Sequence, residues 1–424
     1  MKIINPLLNK NHINKYSSLS LNSIINLHKP KVTLNSINKN SLNIIDDLPI
    51  LYSKQLLSLK NPPDSLPNIY KKPFIDLSKS YKSSFQNIIN FKDNNKLLFE
   101  SFDHLDINNI DIEKTNKTAN YLKKLIFFLN PKKTELDIFI DSFESFLKDE
   151  LNKRSNDLIR LTTDLKVVSN GNLKNFDSNN IIHNYLNKIY YQRIQINFLL
   201  SHQLCLFNQR NTENSKFIGV INPNTNIYDL LEDSIVKTFN LFESNGYDYD
   251  LNLPDIKINL NNKDLTISCI PNHVIHIIFE VLKNSVLATM HNTNSSSSSS
   301  SKEPIIINVF DDPDSIEIKI CDQGGGIPRD KLSKIWSYHY TTTDSKTSEN
   351  SVELLNSTQK ETIISGLGFG LPLCKLYILF NHGEFELINH EGFGVDVIIR
   401  LPKGINYSNF NSPTTPDIYN RNYY

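Results

Sequence analysis

The reading turns on Ser315-Ile-Glu-Ile-Lys-Ile-Cys321 and on Asp322-Gln-Gly-Gly-Gly-Ile-Pro328, which follows it without a break. Ile316, Ile318 and Ile320 alternate with other residues, the period of a strand with one buried face. Asp322 therefore stands where a strand ends. A plain turn needs one glycine; three in a row let the backbone turn sharply and approach a ligand closely. A carboxylate at that point can accept a hydrogen bond from an exocyclic amine such as N6 of adenine.

Toward the N-terminus, residues 272–290 read as a helix. His276, Glu280 and Asn284 recur at i, i+4 and i+8 and share one face, flanked by Lys283. Val274, Ile277, Ile278, Val281 and Ala288 can bury the other side. An amide oxygen at Asn284 suits Mg²⁺, which prefers hard oxygen donors and keeps several waters. A carboxylate one turn earlier can act as general base on an incoming hydroxyl. A histidine one turn before that can tune the carboxylate by hydrogen bonding. Alone, a solvated helix face would read the same way.

Toward the C-terminus stands Gly366-Leu367-Gly368-Phe369-Gly370-Leu371-Pro372, followed by an apolar helix through Phe380. Glycine-rich backbone feeding a helix N-terminus presents N–H groups and the positive end of a dipole to phosphate. The chain has neither a GxxxxGK[ST] loop nor the HRD and DFG motifs of ordinary protein kinases. Between the second and third elements, the polar stretch Thr341–Ser365 is long for a loop within a domain. Both its ends flank nucleotide contacts, which favours a lid.

The remaining text sets the organisation. From about 75 to 245 it is helical, with apolar residues at three- and four-residue spacing in 112–129, 134–168 and 181–207, and with Thr134 as an N-cap. These lengths suggest an up-down bundle. Strands are expected at 264–270, 305–310, 315–321, 383–390 and 394–401, and the serine run Ser295–Ser301 reads as a loop insertion. The expected fold class is α+β: an N-terminal all-α bundle followed by an α/β sandwich with a mixed sheet and helices on one face. Domain edges are placed at 1–45, 46–215, 216–402 and 403–424, the last a flexible tail.

Composition narrows the partners. The 45 basic and 45 acidic residues balance, so charge gives no reason to expect nucleic acid. No apolar run approaches the roughly 18–20 residues of a membrane-spanning helix. Cys205, Cys269, Cys321 and Cys374 match neither zinc spacing nor a disulfide framework. Residues 1–45 carry six lysines and no carboxylate before Asp46, the composition of a mitochondrial transit peptide.

The order of elements (acid and Asn on a helix, strand with Asp-Gly-Gly-Gly, lid, GxGxG, helix) resembles the ATP·Mg²⁺-binding domain of the gyrase, Hsp90, histidine kinase and MutL (GHKL) superfamily, with its Bergerat-type sandwich. Within it, 271–284 (PNHVIHIIFEVLKN), 335–343 (IWSYHYTTT), 366–377 (GLGFGLPLCKLY), 187–207 and 218–227 are similar to the mitochondrial 2-oxo-acid dehydrogenase kinases, the pyruvate and branched-chain dehydrogenase kinase family. These kinases phosphorylate serines of the decarboxylase α-subunit and inactivate the complex. The resemblance implies Glu280 as general base with His276 beside it, Asn284 as Mg²⁺ ligand, Lys283 on phosphate and Asp322 on adenine. It further implies Gly324, Gly326, Thr341 and Thr342 around the nucleotide, and Gly366, Leu367, Gly368, Phe369, Gly370 and Leu371 around the phosphates, with K⁺ as a second cation.

It also implies a mitochondrial matrix kinase of the pyruvate dehydrogenase complex, docked on a lipoyl domain through its helical half and forming a homodimer or a heterodimer with a related kinase. The wording YHYTT leans toward the branched-chain kinase. Five positions depart from the family: Leu287 and Gln323 replace arginines, Val395 replaces a threonine, and His202-Gln203 reverses a Gln-His pair. Trp336 is the only tryptophan, so the C-terminal Asp-Trp element of animal relatives is missing. These departures keep a non-phosphorylating scaffold in view. A sensor histidine kinase would need a phosphoacceptor histidine followed by an acid and a proline, which no upstream histidine offers.

Overall fold

The structure is a computed structural model describing residues 34–64, 66, 68–95, 135–169, 180–210, 215–244, 246, 253–292, 302–338 and 369–403. Four long helices form its first half: α1 (Leu34–Lys60), α2 (Asn68–Asn94), α3 (Glu135–Ser169) and α4 (Asn180–Gln209). In α2, Tyr70, Phe74, Leu77, Tyr81, Phe85 and Ile88 recur every three or four residues and are all buried, the stripe a bundle helix presents to its neighbours. α1 packs on α2 and α4, and α3 on α2 and α4.

The α3 stripe carries a charge where leucine would serve. Arg154 is fully buried and pairs with Asp157 at 3.0 Å. Its Nη2 donates to Ser84 Oγ at 2.8 Å and Ser80 Oγ at 3.1 Å, and its guanidinium lies 3.9 Å from the Tyr81 ring centroid. A buried cation is tolerable only with such partners. Tyr52 Oη donates to Glu150 Oε2 one turn away, so α1, α2 and α3 meet through this polar cluster.

The expected edge at 45/46 falls inside α1 and is corrected by the packing. Ile44 and Ile45 are buried, Asn40 Nδ2 donates to Gln203 Oε1 and Gln203 Nε2 to Ser41 Oγ, both at 2.7 Å. The acid-free composition hid an apolar stripe that begins before the first carboxylate. Residues 1–33, segment 112–129, Thr134, the serine run, Thr341–Ser365 and 404–424 lie outside the described residues.

The second half holds a two-stranded sheet and a five-stranded one. β1 (Asn222–Asn226) pairs antiparallel with β3 (Thr266–Cys269). β2 (Ile256–Asn259), β4 (Ile305–Asp311), β5 (Ser315–Cys321), β6 (Glu384–His390) and β7 (Gly394–Pro402) lie in the order β2-β4-β5-β7-β6, with only β2–β4 parallel. The mixed sheet is as expected. Helices α5 (Ile227–Ser244), α6 (Pro271–His291) and α8 (Gly370–Phe380) complete the domain, with the short α7 (Arg329–Leu332) and a 3₁₀ turn at Lys334–Trp336. Ile277, Ile278 and Val281 of α6 share one core with Ile316, Ile318 and Ile320 of β5. β1 and β2 were not foreseen: Asn222-Pro-Asn-Thr-Asn226 has no apolar alternation and is a strand because β3 offers it a ladder.

The halves meet through aromatic rings. Tyr338, just after the 3₁₀ turn, and Phe369, just before α8, both pack on Tyr190 of α4, at 5.3 and 5.7 Å between centroids. Tyr338 Oη donates to Asn187 Oδ1 at 2.6 Å. No described helix is long and apolar enough to cross a membrane.

One half-buried acid gives α1 a pH dependence. Desolvation, with Asp46 adding to it, raises the Asp47 carboxyl from 3.8 to about 6. The folded state thus holds this proton more tightly than the unfolded chain, so the stabilising contribution is complete below about 3.8 and lost as pH rises through about 6. Asp47→Asn is expected to unfold at higher urea than wild type at about pH 7.5, with the margin vanishing as pH falls to about 4. Urea titrations followed by circular dichroism across that range check the sign.

Candidate functional site

α6 opens with Pro271, whose missing N–H costs nothing in a first turn. Along it, Glu280 is fully buried and Lys283, one turn on, is 8% exposed. Lys283 Nζ donates to Glu280 Oε2 at 2.6 Å. Among the described residues Glu280 Oε1 accepts no hydrogen bond. The carboxylate thus has one oxygen neutralised by an ammonium and the other uncommitted, the arrangement of a group that can take a proton. Asn284 is the exposed residue of this face.

α8 lies along α6 and fixes that face. At its first residue, Gly370, a Cβ would overlap Glu280 Oε2. Cys374 Sγ approaches Ile277 O at 4.0 Å. The Tyr377 ring lies 5.2 Å from the His276 ring and 4.7 Å from that of His273. His273 Nδ1 is 3.3 Å from Asn381 Nδ2, and desolvation drives its imidazole down to about 3. It is therefore neutral at ordinary pH, and the assignment that fits has the amide donating to Nδ1.

Asp322 sits at the end of β5, beside the C-terminal half of α6. Its Oδ1 accepts from Gly324 N at 3.0 Å and Val395 N at 3.2 Å, and its Oδ2 accepts from Ser285 Oγ at 2.8 Å. Burial raises this carboxyl, and those three donors only partly offset it. Oδ2 has a lone pair left for one further donor. The glycine loop is held at both ends: Asn292 Nδ2 donates to Gln323 O, and Asn389 exchanges two 2.7 Å hydrogen bonds with the backbone of Ile327. Gly326 has φ +72°, a conformation that suits glycine.

The fold thus brings Glu280, Lys283 and Asn284 onto one helix, with Asp322, Gly324 and Gly326 at its far end and Gly370 over its middle. His276 reaches Tyr377. Leu371 is half-buried against the sheet core, and the Phe369 side chain is buried in the interdomain aromatic cluster, so only its backbone is left to face a ligand. Thr341, Thr342, Gly366, Leu367 and Gly368 lie outside the described residues.

The departures also find places. Val395 meets Asp322 through backbone N–H, which no side chain alters. Gln323 is used through its carbonyl, and Leu287 packs at the edge of the sheet core. His202 and Gln203 are pins rather than ligands: Val220 N donates to His202 Nδ1 at 3.5 Å. Ser285, Asn292, Tyr377 and Asn389 were not singled out from the sequence; only Ser285, next to Asn284, carried a signal of position.

Comparison with known proteins agrees with this arrangement. Residues 269–405 match the domain family described as histidine kinase-, DNA gyrase B- and HSP90-like ATPase, and residues 18–222 match mitochondrial branched-chain alpha-ketoacid dehydrogenase kinase. Over these stretches the chain is similar to mitochondrial 2-oxo-acid dehydrogenase kinases. Similar proteins include mitochondrial pyruvate dehydrogenase (acetyl-transferring) kinase of Schizosaccharomyces pombe, 34% identical over 231 residues that make up 52% of this chain and 50% of that protein. The Ascaris suum kinase of the same name is 30% identical over 222 residues, 51% of this chain and 52% of its own. Human isozyme 1 is 29% identical over 226 residues, 51% and 48%. The chain spans about half the length of the curated relatives it matches.

The join between helix and glycine loop is close-packed. A Cβ at Gly324 would overlap the Cβ of Ala288, with the Ala288 carbonyl carbon at 2.9 Å. Gly324→Ala is expected to lower stability by about 1–3 kcal/mol, the usual cost of overpacking. Adding it to an Ala288→Gly background should cost less, and urea unfolding of the four proteins measures the difference.

Proposed function

We propose that the protein is an ATP·Mg²⁺-dependent protein serine kinase of the mitochondrial matrix that phosphorylates and inactivates the decarboxylase α-subunit of the pyruvate dehydrogenase complex. The observation that carries this reading is the Glu280 carboxylate: buried, paired on one oxygen with Lys283, uncommitted on the other, and one turn before the exposed amide of Asn284. The names of the relatives support the substrate and the compartment.

In this reading Glu280 Oε1 accepts the proton of the substrate serine hydroxyl as its oxygen attacks phosphorus. Lys283 pairs with the other oxygen of that carboxylate, and at the start of α8 it lies where phosphate charge would gather. Asp322 Oδ2 accepts from the adenine amine, with Ser285 holding the carboxylate in place. Asn284 would hold Mg²⁺ by its amide oxygen. Among the described residues no three His, Cys, Asp or Glu side chains converge to hold a metal alone, so this ligand acts jointly with nucleotide phosphates. When bound, ATP·Mg²⁺ supplies the phosphoryl group and neutralises its developing charge. The resemblance assigns Thr341, Thr342, Gly366 and Gly368 to further nucleotide contacts, and K⁺ is a further cation to test. The helical half would dock a lipoyl domain, raising the local substrate concentration, and the kinase would work as a dimer.

A second substrate is favoured by one observation: the description matched by residues 18–222 names the branched-chain enzyme. The deciding assay incubates the purified chain with Mg²⁺, labelled ATP and the separate pyruvate and branched-chain decarboxylase components. Serine phosphate is expected on the pyruvate α-subunit. It should fall at least ~100-fold in Glu280→Gln, which removes the base. Asp322→Asn should weaken ATP binding by about 1.5–3 kcal/mol, the worth of a hydrogen bond to a charged group. Label on the branched-chain component alone would change the substrate, and ATP binding without label on either would leave a scaffold.

A further inference from the structure

Gly370, Cys374, Tyr377 and Asn381 recur at i, i+4, i+7 and i+11, one stripe of α8 and its C-cap. Each has a counterpart on α6: Glu280, Ile277, His276 with His273, and His273 again. The two helices therefore face each other along this stripe, and at Gly370 there is no room for a side chain. A Cβ there would occupy the place of Glu280 Oε2, the oxygen that Lys283 pairs with, and would lie 3.2 Å from Glu280 Cδ.

Gly370 is not among the positive-φ residues and it lies within the helix. Its backbone conformation is open to alanine, which helices favour over glycine by about 1 kcal/mol. What glycine provides here is room. The geometry points to Gly370 as a positioning residue for Glu280: its missing side chain is the niche in which the carboxylate is held against Lys283. This deepens the kinase reading and rests on it, since a carboxylate needs an assigned station only if it does chemistry. It also separates Gly370 from a role confined to phosphate. The atom in the way is the end of a flexible side chain, so alanine would displace the carboxylate and leave the backbone in place, at the cost of the ion pair.

Gly370→Ala is expected to fold, to bind ATP·Mg²⁺ within about threefold of wild type by calorimetry, and to lose phosphoryl transfer by the ~100-fold or more that a misplaced base costs. Glu280→Asp draws the carboxylate back by one methylene, so adding Gly370→Ala to it should lower kcat no further. ATP affinity falling in step with kcat would overturn the inference, as would an equal loss in both backgrounds. Crystal structures of wild type and Gly370→Ala give a readout independent of kinase activity. The Glu280–Lys283 pair should be present in the first and broken in the second, and its survival beside the introduced methyl group would overturn the inference. Absence of transfer by wild type would instead count against the kinase reading.

Discussion

The interaction on which the structure depends is the ion pair between Glu280 and Lys283, buried where α6 and α8 cross. Two charges taken out of water cost several kcal/mol each, and their attraction offsets this only when geometry is good. An apolar pair of similar volume would pack as well. That the pair stands beside buried Ile277, Phe279, Val281 and Leu282 on the same helix is therefore an argument for chemistry. The same pair constrains its surroundings: α6 must be held rigidly by the sheet beneath it, and α8 must begin without a side chain.

Rigidity comes from both halves of the molecule. Beneath α6 the isoleucines of β5 set its height, and at its C-terminal end Asn292 and Ser285 tie it to the glycine loop and to Asp322. Above it α8 is carried on the helical half, where Phe380 packs on Tyr191 and Phe198 of α4. Tyr338 and Phe369 are drawn into the same aromatic cluster. The helical half thus supplies the outer wall of the α6–α8 pair. Phe380 also meets the His273 ring of α6, 5.4 Å away between centroids.

Much of this was legible in residue order. Periodicity placed α3, α4, α6, β4, β5, β6 and β7 to within a few residues, because each buries one face and the burial writes itself into the spacing. The face of His276, Glu280 and Asn284 and the loop after Asp322 were equally plain. Other features were not. β1 has no apolar alternation and exists by pairing with β3. The start of α1 was masked by a composition that favours targeting. Phe369 reads as part of a phosphate loop, yet its ring serves the interdomain core, a distinction only tertiary packing makes. The roles of Ser285 and Val395 depend on strand ends that meet across the sheet, and no local pattern announces them.

The central claim is that Glu280 and Lys283 act as one buried unit. A double-mutant cycle on stability tests it most directly: urea unfolding of wild type, Glu280→Gln, Lys283→Met and the double variant. Lys283→Met alone should cost about 3–5 kcal/mol, because it strands a buried carboxylate. The double variant should cost clearly less than the two single changes together. Costs that add to within about 0.5 kcal/mol would mean that the two side chains are independent, and would contradict the account.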